Sequence, residues 1–193
     1  MTPRRAPTEE KADRRSRILD AVLTLLASEG IAGASVRAVA REAGVALGLV
    51  HYYFADKTEL ISAALRRVEE QDLLIVDPAG SDPERRLRAA LRRVADAEFL
   101  TTEYLSLRLQ LWSLAQVNDT YAQINSAAQA RYRAGIAKLI RAARPDLSRR
   151  EVDRRAADID VVQNGVWLTT LLGLDTASVR RNVARTEEIA LAP

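Results

Sequence analysis

Apolar residues recur every three or four positions through most of this 193-residue chain. This spacing places them on one face of an α-helix, whereas a half-buried strand would alternate apolar and polar residues. Only 8 glycines and 6 prolines interrupt the pattern, and no alternating segment bounded by hairpin turns is found. The sequence therefore predicts an all-α fold of about nine helices.

The clearest break in the helical pattern is residues 77–83, where two prolines and a glycine stand among aspartates and a serine. Such runs favour turns over helices. We expect an N-terminal domain of three helices over residues 1–56 and a linking helix over residues 57–76. A C-terminal helical bundle should then occupy residues 77–193.

The chain lacks residue types that most catalytic sites require. It has no cysteine and a single histidine, His51. Thiolate metal sites, a cysteine nucleophile, a histidine-based metal site and a Ser-His-Asp triad elsewhere are therefore not expected. The glycines are too few and too scattered for a phosphate-binding loop. We predict that the protein is not an enzyme and holds neither a metal nor another cofactor.

Composition gives only a weak indication of the partner. The net charge of +3 is compatible with nucleic-acid binding but too small to establish it. The first residues contain no apolar signal segment, and no uncharged stretch is long enough to span a bilayer. We expect a cytoplasmic protein with no membrane partner.

Residues 35–54 contain two short helical segments separated by a tight turn at Gly44 and Val45. Glycine tolerates the positive φ angle that such a turn requires. Ala40 is small where the two helices must approach closely, and Val50 is placed to pack the second helix onto the first. This is the arrangement of a helix-turn-helix.

The remaining side of the second short helix is free to enter a DNA major groove. The residues on that side are Ala46, Leu47, Gly48, Leu49 and Tyr52. Beside them, His51, Tyr53 and Lys57 can donate hydrogen bonds to phosphate oxygens. The residues alone leave alternatives open: a three-helix packing unit with surface tyrosines, a helical module that binds a protein or lipid, and inward packing of Leu49.

The same segment resembles the N-terminal pattern of the TetR family of bacterial regulators. That pattern contains Ile-Leu-x-Ala-Ala and later Ala-Gly-Val-Ser-x-Gly-x-Leu-Tyr-x-Tyr-Phe-x-x-Lys-x-x-Leu. This chain has Ile-Leu-Asp-Ala at residues 18–21 and a matching run over residues 43–60. It departs from the pattern at Ala46, where the family usually has a capping serine, and at His51, where it usually has a tyrosine.

The resemblance implies a ligand-responsive repressor that binds double-stranded, palindromic operator DNA as a dimer. It implies that Ser35 and Arg37 open the helix that crosses the DNA backbone, and that Arg14 or Arg17 reaches a flanking groove or phosphate. It places base-reading residues at Leu47, Gly48, Leu49 and Tyr52. It places backbone-positioning residues at His51, Tyr53 and Lys57. Apolar leucines at such positions can read a thymine methyl group by contact.

The second half of the chain is loosely similar to BetI-type members of the family, which implies that it binds a small-molecule effector. Its aromatic and amide side chains are candidates for lining a pocket between the helices. They are Phe99, Tyr104, Trp112, Gln116, Tyr132, Gln163, Asn164 and Trp167. Ordinary core or interface packing is the alternative for each. A buried Gln163 would find a hydrogen-bond partner as readily across a dimer as on a ligand.

The long helix near the end of the chain has apolar residues on two sides. One side carries Val152, Ala156, Ile159 and Val166, and the other carries Val161, Leu168, Leu171 and Leu172. Such a helix must bury one side on its own core and the other on a partner, unless it is fully internal. We predict a homodimer whose interface residues are Val152, Ala156, Ile159, Val166 and Leu171.

Overall fold

The computed structural model describes residues 7–173 and 175–192, and these ranges contain nine α-helices and no strand. The first residues, on which the expectation of no signal segment rests, lie outside them. The helices in chain order are α1 (Pro7–Gly33), α2 (Val36–Glu42), α3 (Leu47–Tyr53), α4 (Lys57–Leu73), α5 (Pro83–Arg93), α6 (Thr102–Ala115), α7 (Asp119–Ala143), α8 (Arg149–Leu171) and α9 (Thr176–Leu191). The predicted all-α fold is confirmed.

Local sequence signals fix several helix ends. Gly30 has a φ of 66° and breaks α1 one turn before its end. The Asp56 carboxylate starts α4 by accepting a hydrogen bond from the Glu59 N–H at 2.8 Å. The Ser148 hydroxyl starts α8 by accepting one from the Glu151 N–H at 3.2 Å. Each of these caps satisfies a backbone N–H that has no partner inside its helix.

Two hydrophobic clusters form the core. The first combines α1 to α4 with side chains of the later helices, namely Leu107 and Leu114 of α6 and Tyr121 and Ile124 of α7. The second combines α5 to α9 with Ile75, which follows α4. The segment at residues 77–83 separates α4 from α5 in the sequence, but α6 and α7 contribute to both clusters. The N-terminal helices therefore complete their core with residues of the second half.

One apolar side of α8 is buried inside the protomer. Val152, Ala156 and Ile159 are at most 1% exposed and belong to the second cluster, and Val166 is 3% exposed. Leu171 is half-buried and packs against the same cluster. Side chains already covered by their own chain cannot form a partner contact, so the prediction of these four buried residues as interface residues is wrong. The packing of α7 and α9 against α8 covers this side.

The opposite side of α8 is open. Val161 is 71%, Leu168 38% and Leu172 76% exposed. Their spacing of seven and four residues places them on one helical face. This outer face, defined by these three residues, is the apolar side of α8 that the protomer leaves uncovered.

Replacing Gly44 by alanine should destabilise the fold. Its φ of +62° lies in the left-handed region, which costs a residue with a Cβ atom about 1–2 kcal/mol. Gly48 is the matched control, because it lies inside α3 and an added Cβ meets nothing within 4 Å. Gly48→Ala should stabilise the protein by about 0.4–1 kcal/mol. Urea unfolding followed by circular dichroism measures the free energy of unfolding of both variants. Equal changes in the two variants would contradict the claim that the positive φ angle requires glycine at position 44.

Candidate nucleic-acid interface and internal cavity

A compact turn joins α2 to α3. The Gly44 N–H bonds the Arg41 carbonyl at 3.1 Å, and the Val45 N–H bonds the Ala40 carbonyl at 3.0 Å. With a left-handed glycine, this pair of hydrogen bonds is the Schellman ending of a helix. The ending satisfies carbonyls of α2 and lets α3 begin within three residues. The predicted helix-turn-helix geometry is present.

The two short helices begin differently. The Ser35 hydroxyl accepts a hydrogen bond from the Ala38 N–H at 3.1 Å, so Ser35 caps α2. Ala46 stands at the corresponding position before α3 and makes no side-chain cap bond. A seven-residue helix without a cap is not stable alone. The position of α3 therefore depends on what it packs against.

α3 is held along one side and open along the other. Val50 is 1% exposed and Phe54, directly after the helix, is 3% exposed. Leu47 is 37% and Tyr52 68% exposed, whereas Leu49 is half-buried. The other exposed residues of this surface are Ala46, Gly48 and His51. The open side is a protruding surface of the kind that enters a major groove.

The two tyrosines of α3 are attached to the start of α1 through Lys11. The Lys11 Nζ donates to the Tyr52 hydroxyl at 3.3 Å and lies 5.3 Å from the centre of its ring. The Tyr53 hydroxyl donates to the Lys11 carbonyl at 3.2 Å. Lys11 is not among the residues predicted from the sequence, because no local spacing connects residues about forty positions apart. Lys11 adds a positive charge beside the open side of α3.

Two cations predicted to contact DNA, Lys57 and (as an alternative to Arg14) Arg17, bind backbone carbonyls of the protein. The Arg17 guanidinium donates to the Ala43 carbonyl at 2.7 Å, at the turn after α2. The Lys57 Nζ donates to the Ile31 carbonyl at 2.8 Å, just after the break in α1. These bonds fix α1 to the turn and to the start of α4. Arg14 and Arg37 are both exposed.

A cavity of about 60 Å³ lies between α4, α6, α7 and α8. Among the predicted pocket residues, Trp112, Tyr132, Asn164 and Trp167 line it. Apolar side chains of α4 and of the neighbouring helices complete the wall. They include Leu65, Val68, Leu73, Leu111 and Ile124.

The other predicted pocket residues lie elsewhere. Phe99 is buried beside Tyr104, with ring centres 5.4 Å apart, and neither lines the cavity. Gln116 is exposed after the end of α6. Gln163 is 1% exposed and accepts a hydrogen bond from the Tyr132 hydroxyl at 3.0 Å. The buried amide therefore finds its hydrogen-bond partner inside the protomer. The prediction that Gln163 lines the pocket is wrong, because it lies behind Tyr132, which does line the cavity.

The cavity wall also carries three carboxylates that were not predicted from the sequence, Glu69, Asp72 and Asp160. Each is paired with an arginine. Asp72 pairs with Arg108 and Glu69 with Arg131, while Asp160 pairs with Arg133 at 3.1 Å. Acidic residues of amphipathic helices normally face solvent, so periodicity gave no signal that these point inward.

Arg108 is the least exposed of the three arginines that pair with the wall carboxylates. Its guanidinium lies 4.0 Å from the Trp167 ring centre, 5.8 Å from that of Trp112 and 5.9 Å from that of Tyr104. Burial is the largest single effect and lowers the pKa of Arg108, but the Asp72 carboxylate and the Tyr104 hydroxyl together raise it by more, so the group stays charged. Burial also raises the pKa of Tyr104, whose hydroxyl donates to Asp72. Arg108 is thus a buried cation in an aromatic and acidic recess.

The described part of the chain contains neither a metal-binding cluster nor a membrane-spanning helix. Over residues 7–173 and 175–192, no group of three or more His, Cys, Asp or Glu side chains is arranged to hold a metal ion. None of the helices described there combines the length and apolar character needed to cross a membrane.

Both halves of the chain match known families. Residues 18–64 match the model of bacterial regulatory proteins of the tetR family, and residues 83–190 match the C-terminal model of BetI-type transcriptional repressors. The chain belongs to the TetR family. Its first match covers the helix-turn-helix, and its second covers the helices around the cavity.

Curated relatives of this TetR-family chain are HTH-type transcriptional regulators named BetI. The protein of Paraburkholderia phytofirmans is 28% identical over 160 residues, which are 80% of this chain and 80% of the relative. That of Burkholderia thailandensis is 28% identical over 189 residues, 93% of this chain and 94% of the relative. The similarity therefore extends through nearly the whole length.

Solved structures share the fold. A putative transcriptional regulator of Pseudomonas aeruginosa has a TM-score of 0.80 at 24% identity, covering 96% of this chain and 90% of its own. A putative transcriptional regulator of Saccharomonospora viridis, solved in complex with choline, has a TM-score of 0.73 at 22% identity, covering 92% of this chain and 95% of its own.

These comparisons confirm the prediction of a DNA-binding helix-turn-helix regulator of the TetR family with a BetI-type C-terminal half. A repressor role and responsiveness to a ligand are typical of the family. The family is one of transcriptional regulators and not of enzymes.

Replacing Arg17 by methionine should weaken DNA binding without removing a phosphate contact. The lost hydrogen bond to the turn contributes about 0.5–1.5 kcal/mol, so the midpoint of thermal unfolding should fall as well. The slope of log affinity against log salt concentration should stay unchanged, because it counts neutralised phosphates. Fluorescence anisotropy at several salt concentrations measures the slope.

The exposed Arg37 of α2 is the comparison for this test. Arg37→Met should leave thermal stability almost unchanged and reduce the slope by about one. A reduced slope for Arg17→Met would assign Arg17 to a phosphate contact and contradict its role at the turn.

Proposed function

We propose that this TetR-family regulator is a dimeric repressor that binds a palindromic operator and releases it when a small organic cation enters the cavity between α4, α6, α7 and α8. The observation that carries the proposal is the shared core. Side chains of α6 and α7 complete the cluster that supports α1 to α4, so occupation of the cavity can alter the support of α3.

The open side of α3 supports the DNA-binding part. Leu47, Gly48 and Tyr52 are exposed where a recognition helix reads base edges. Leu47 is apolar and suits contact with a thymine methyl group. His51 and the neighbouring Lys11 are placed to donate to phosphates, because both are exposed beside that side.

The outer face of α8 supports dimerisation. Its exposed Val161, Leu168 and Leu172 form an apolar line. In a monomer this line is in contact with water, which is unfavourable. A two-fold axis would pack this face against the same face of a second copy, as in most closed dimers. The interface therefore uses the side of α8 opposite to the one predicted from the sequence.

The cavity supports a cationic effector. Its wall combines the rings of Trp112, Tyr132 and Trp167 with three carboxylates. Aromatic faces and carboxylates are the groups that attract organic cations, including quaternary ammonium compounds. The Saccharomonospora viridis regulator of similar fold was solved with choline, which is such a compound.

Residues shared by the cavity and the first cluster support coupling between ligand and DNA. Leu65 and Val68 of α4 and Ile124 of α7 line the cavity and belong to that cluster. A ligand that favours one packing of these residues shifts the protein toward the corresponding orientation of α3. The change in operator affinity is limited to the ligand's preference between the two states.

Operator binding can be measured with the DNA upstream of the protein's own gene. The wild-type protein should bind it specifically at several salt concentrations, and choline should lower the affinity. Leu47→Ala should change which operator variants are preferred, by about 1–3 kcal/mol at one position, whereas His51→Ala should weaken all variants equally. Folded dimeric protein without sequence-specific binding would contradict the proposed function.

The outer face of α8 is tested by Val161→Glu and Leu172→Glu. Each places a charge in the proposed interface, where an unpaired buried charge is strongly unfavourable, so sedimentation should show monomers with retained helical content. Val117→Glu is the matched control, because Val117 is 76% exposed in the loop between α6 and α7. A dimer that persists in both α8 variants would place the interface elsewhere.

A further inference from the structure

We propose that Arg108 is a built-in occupant of the cation site, and that a cationic effector binds by displacing the Arg108 guanidinium from the Trp167 ring. This inference rests on the proposed function, since it specifies how the effector site is regulated. It gives Arg108 the role of an internal competitor that keeps the repressor in its ligand-free packing.

Arg108 already makes the contacts that a cationic ligand would make. Its guanidinium lies 4.0 Å from the Trp167 ring centre and forms an ion pair with Asp72. Trp112 is a second ring within reach, at 5.8 Å. A cation on an aromatic face beside a carboxylate is the arrangement by which proteins recognise organic cations. The protein therefore supplies its own cation to the recess.

A second cation cannot enter while Arg108 stays in place. The Arg108 side chain is only 13% exposed, so the repulsion between the two charges would be poorly screened. The other two carboxylates of the wall offer no free charge, because Glu69 pairs with Arg131 and Asp160 with Arg133. Binding of a cation thus requires one of these arginines to leave, and Arg108 is the one on the rings.

The attachment of Arg108 is incomplete, which favours its displacement. Within the described part of the chain, the buried Arg108 Nε has no hydrogen-bond partner. A buried donor without a partner is unfavourable, and movement of the side chain into solvent would satisfy it. Arg131 and Arg133 lie nearer the surface, since their side chains are 58% and 39% exposed.

The movement of Arg108 acts on the helix that carries it. On α6, the preceding Leu107 is buried in the first cluster, and α6 packs along α1. The Gln110 side chain lies against Gly30, at the break in α1. One residue later, the Ile31 carbonyl binds Lys57 at the start of α4. A shift of α6 therefore reaches the contacts that connect α1 with α4 and α3.

Intrinsic fluorescence can follow the cavity directly, because the chain has 2 tryptophans and both line it. The probe is tetramethylammonium chloride, titrated into the free protein without DNA. Arg108→Gln should bind it about tenfold more tightly than wild type, because the competitor is gone and Asp72 is left unpaired. Arg131→Gln is the matched control: it removes one positive charge from another wall carboxylate, and its gain should be clearly smaller.

Three results would overturn the inference. Equal gains in Arg108→Gln and Arg131→Gln would show a general charge effect, and unchanged or weaker binding in Arg108→Gln would show that Arg108 does not compete. A fluorescence change with benzoate that Arg108→Gln abolishes would assign Arg108 to an acidic ligand. If Arg108→Gln fails to fold, Arg108→Lys, which keeps the charge but loses the planar ring contact, should still bind the probe more tightly than wild type.

Operator binding of the wild-type protein is measured separately and without the probe. Its absence would contradict the proposed function alone, while the fluorescence comparison would still decide the role of Arg108.

Discussion

The shared hydrophobic core is the constraint on which the rest of the structure depends. The helices that hold α3 cannot close their core without Leu107 and Leu114 of α6 and Tyr121 and Ile124 of α7. Close-packed side chains transmit displacement instead of absorbing it. A change in the packing of α6 or α7 must therefore be met by α1 or α4. For this reason a cavity bordered by α4, α6 and α7 can influence a surface on α3 that it does not touch.

The buried charges contribute less to stability than the apolar core does. Asp72 and Arg108 lie on the cavity wall with side chains 17% and 13% exposed. Removing two such charges from water costs about as much as their attraction returns, so the pair adds little net stability. In the proposed mechanism this pair is a switchable contact, since a competing cation would replace Arg108 without leaving Asp72 uncompensated.

Features that depend on neighbouring residues could be predicted from the sequence. Contacts between residues far apart in the chain could not. The helix break at Gly30, the turn at Gly44 and the cap at Asp56 each depend on a few neighbouring residues, so the sequence contains them. The bonds of Lys57 with Ile31 and of Arg17 with Ala43 join residues 26 positions apart, which no spacing reveals. Periodicity likewise identified two apolar sides of α8, but which side is covered depends on how α7 and α9 pack.

The contacts that position α3 converge on α1. α3 is too short to be stable alone. Residues near both ends of α1 contact α3 or the segments next to α3. Lys11 binds Tyr52 and Tyr53, Arg17 holds the turn before α3, and the carbonyl after Gly30 binds α4 through Lys57. Because α6 packs along α1 as well, any signal from the cavity arrives at the helix that sets the orientation of α3. The orientation of the open side of α3 is therefore set by its contacts with α1.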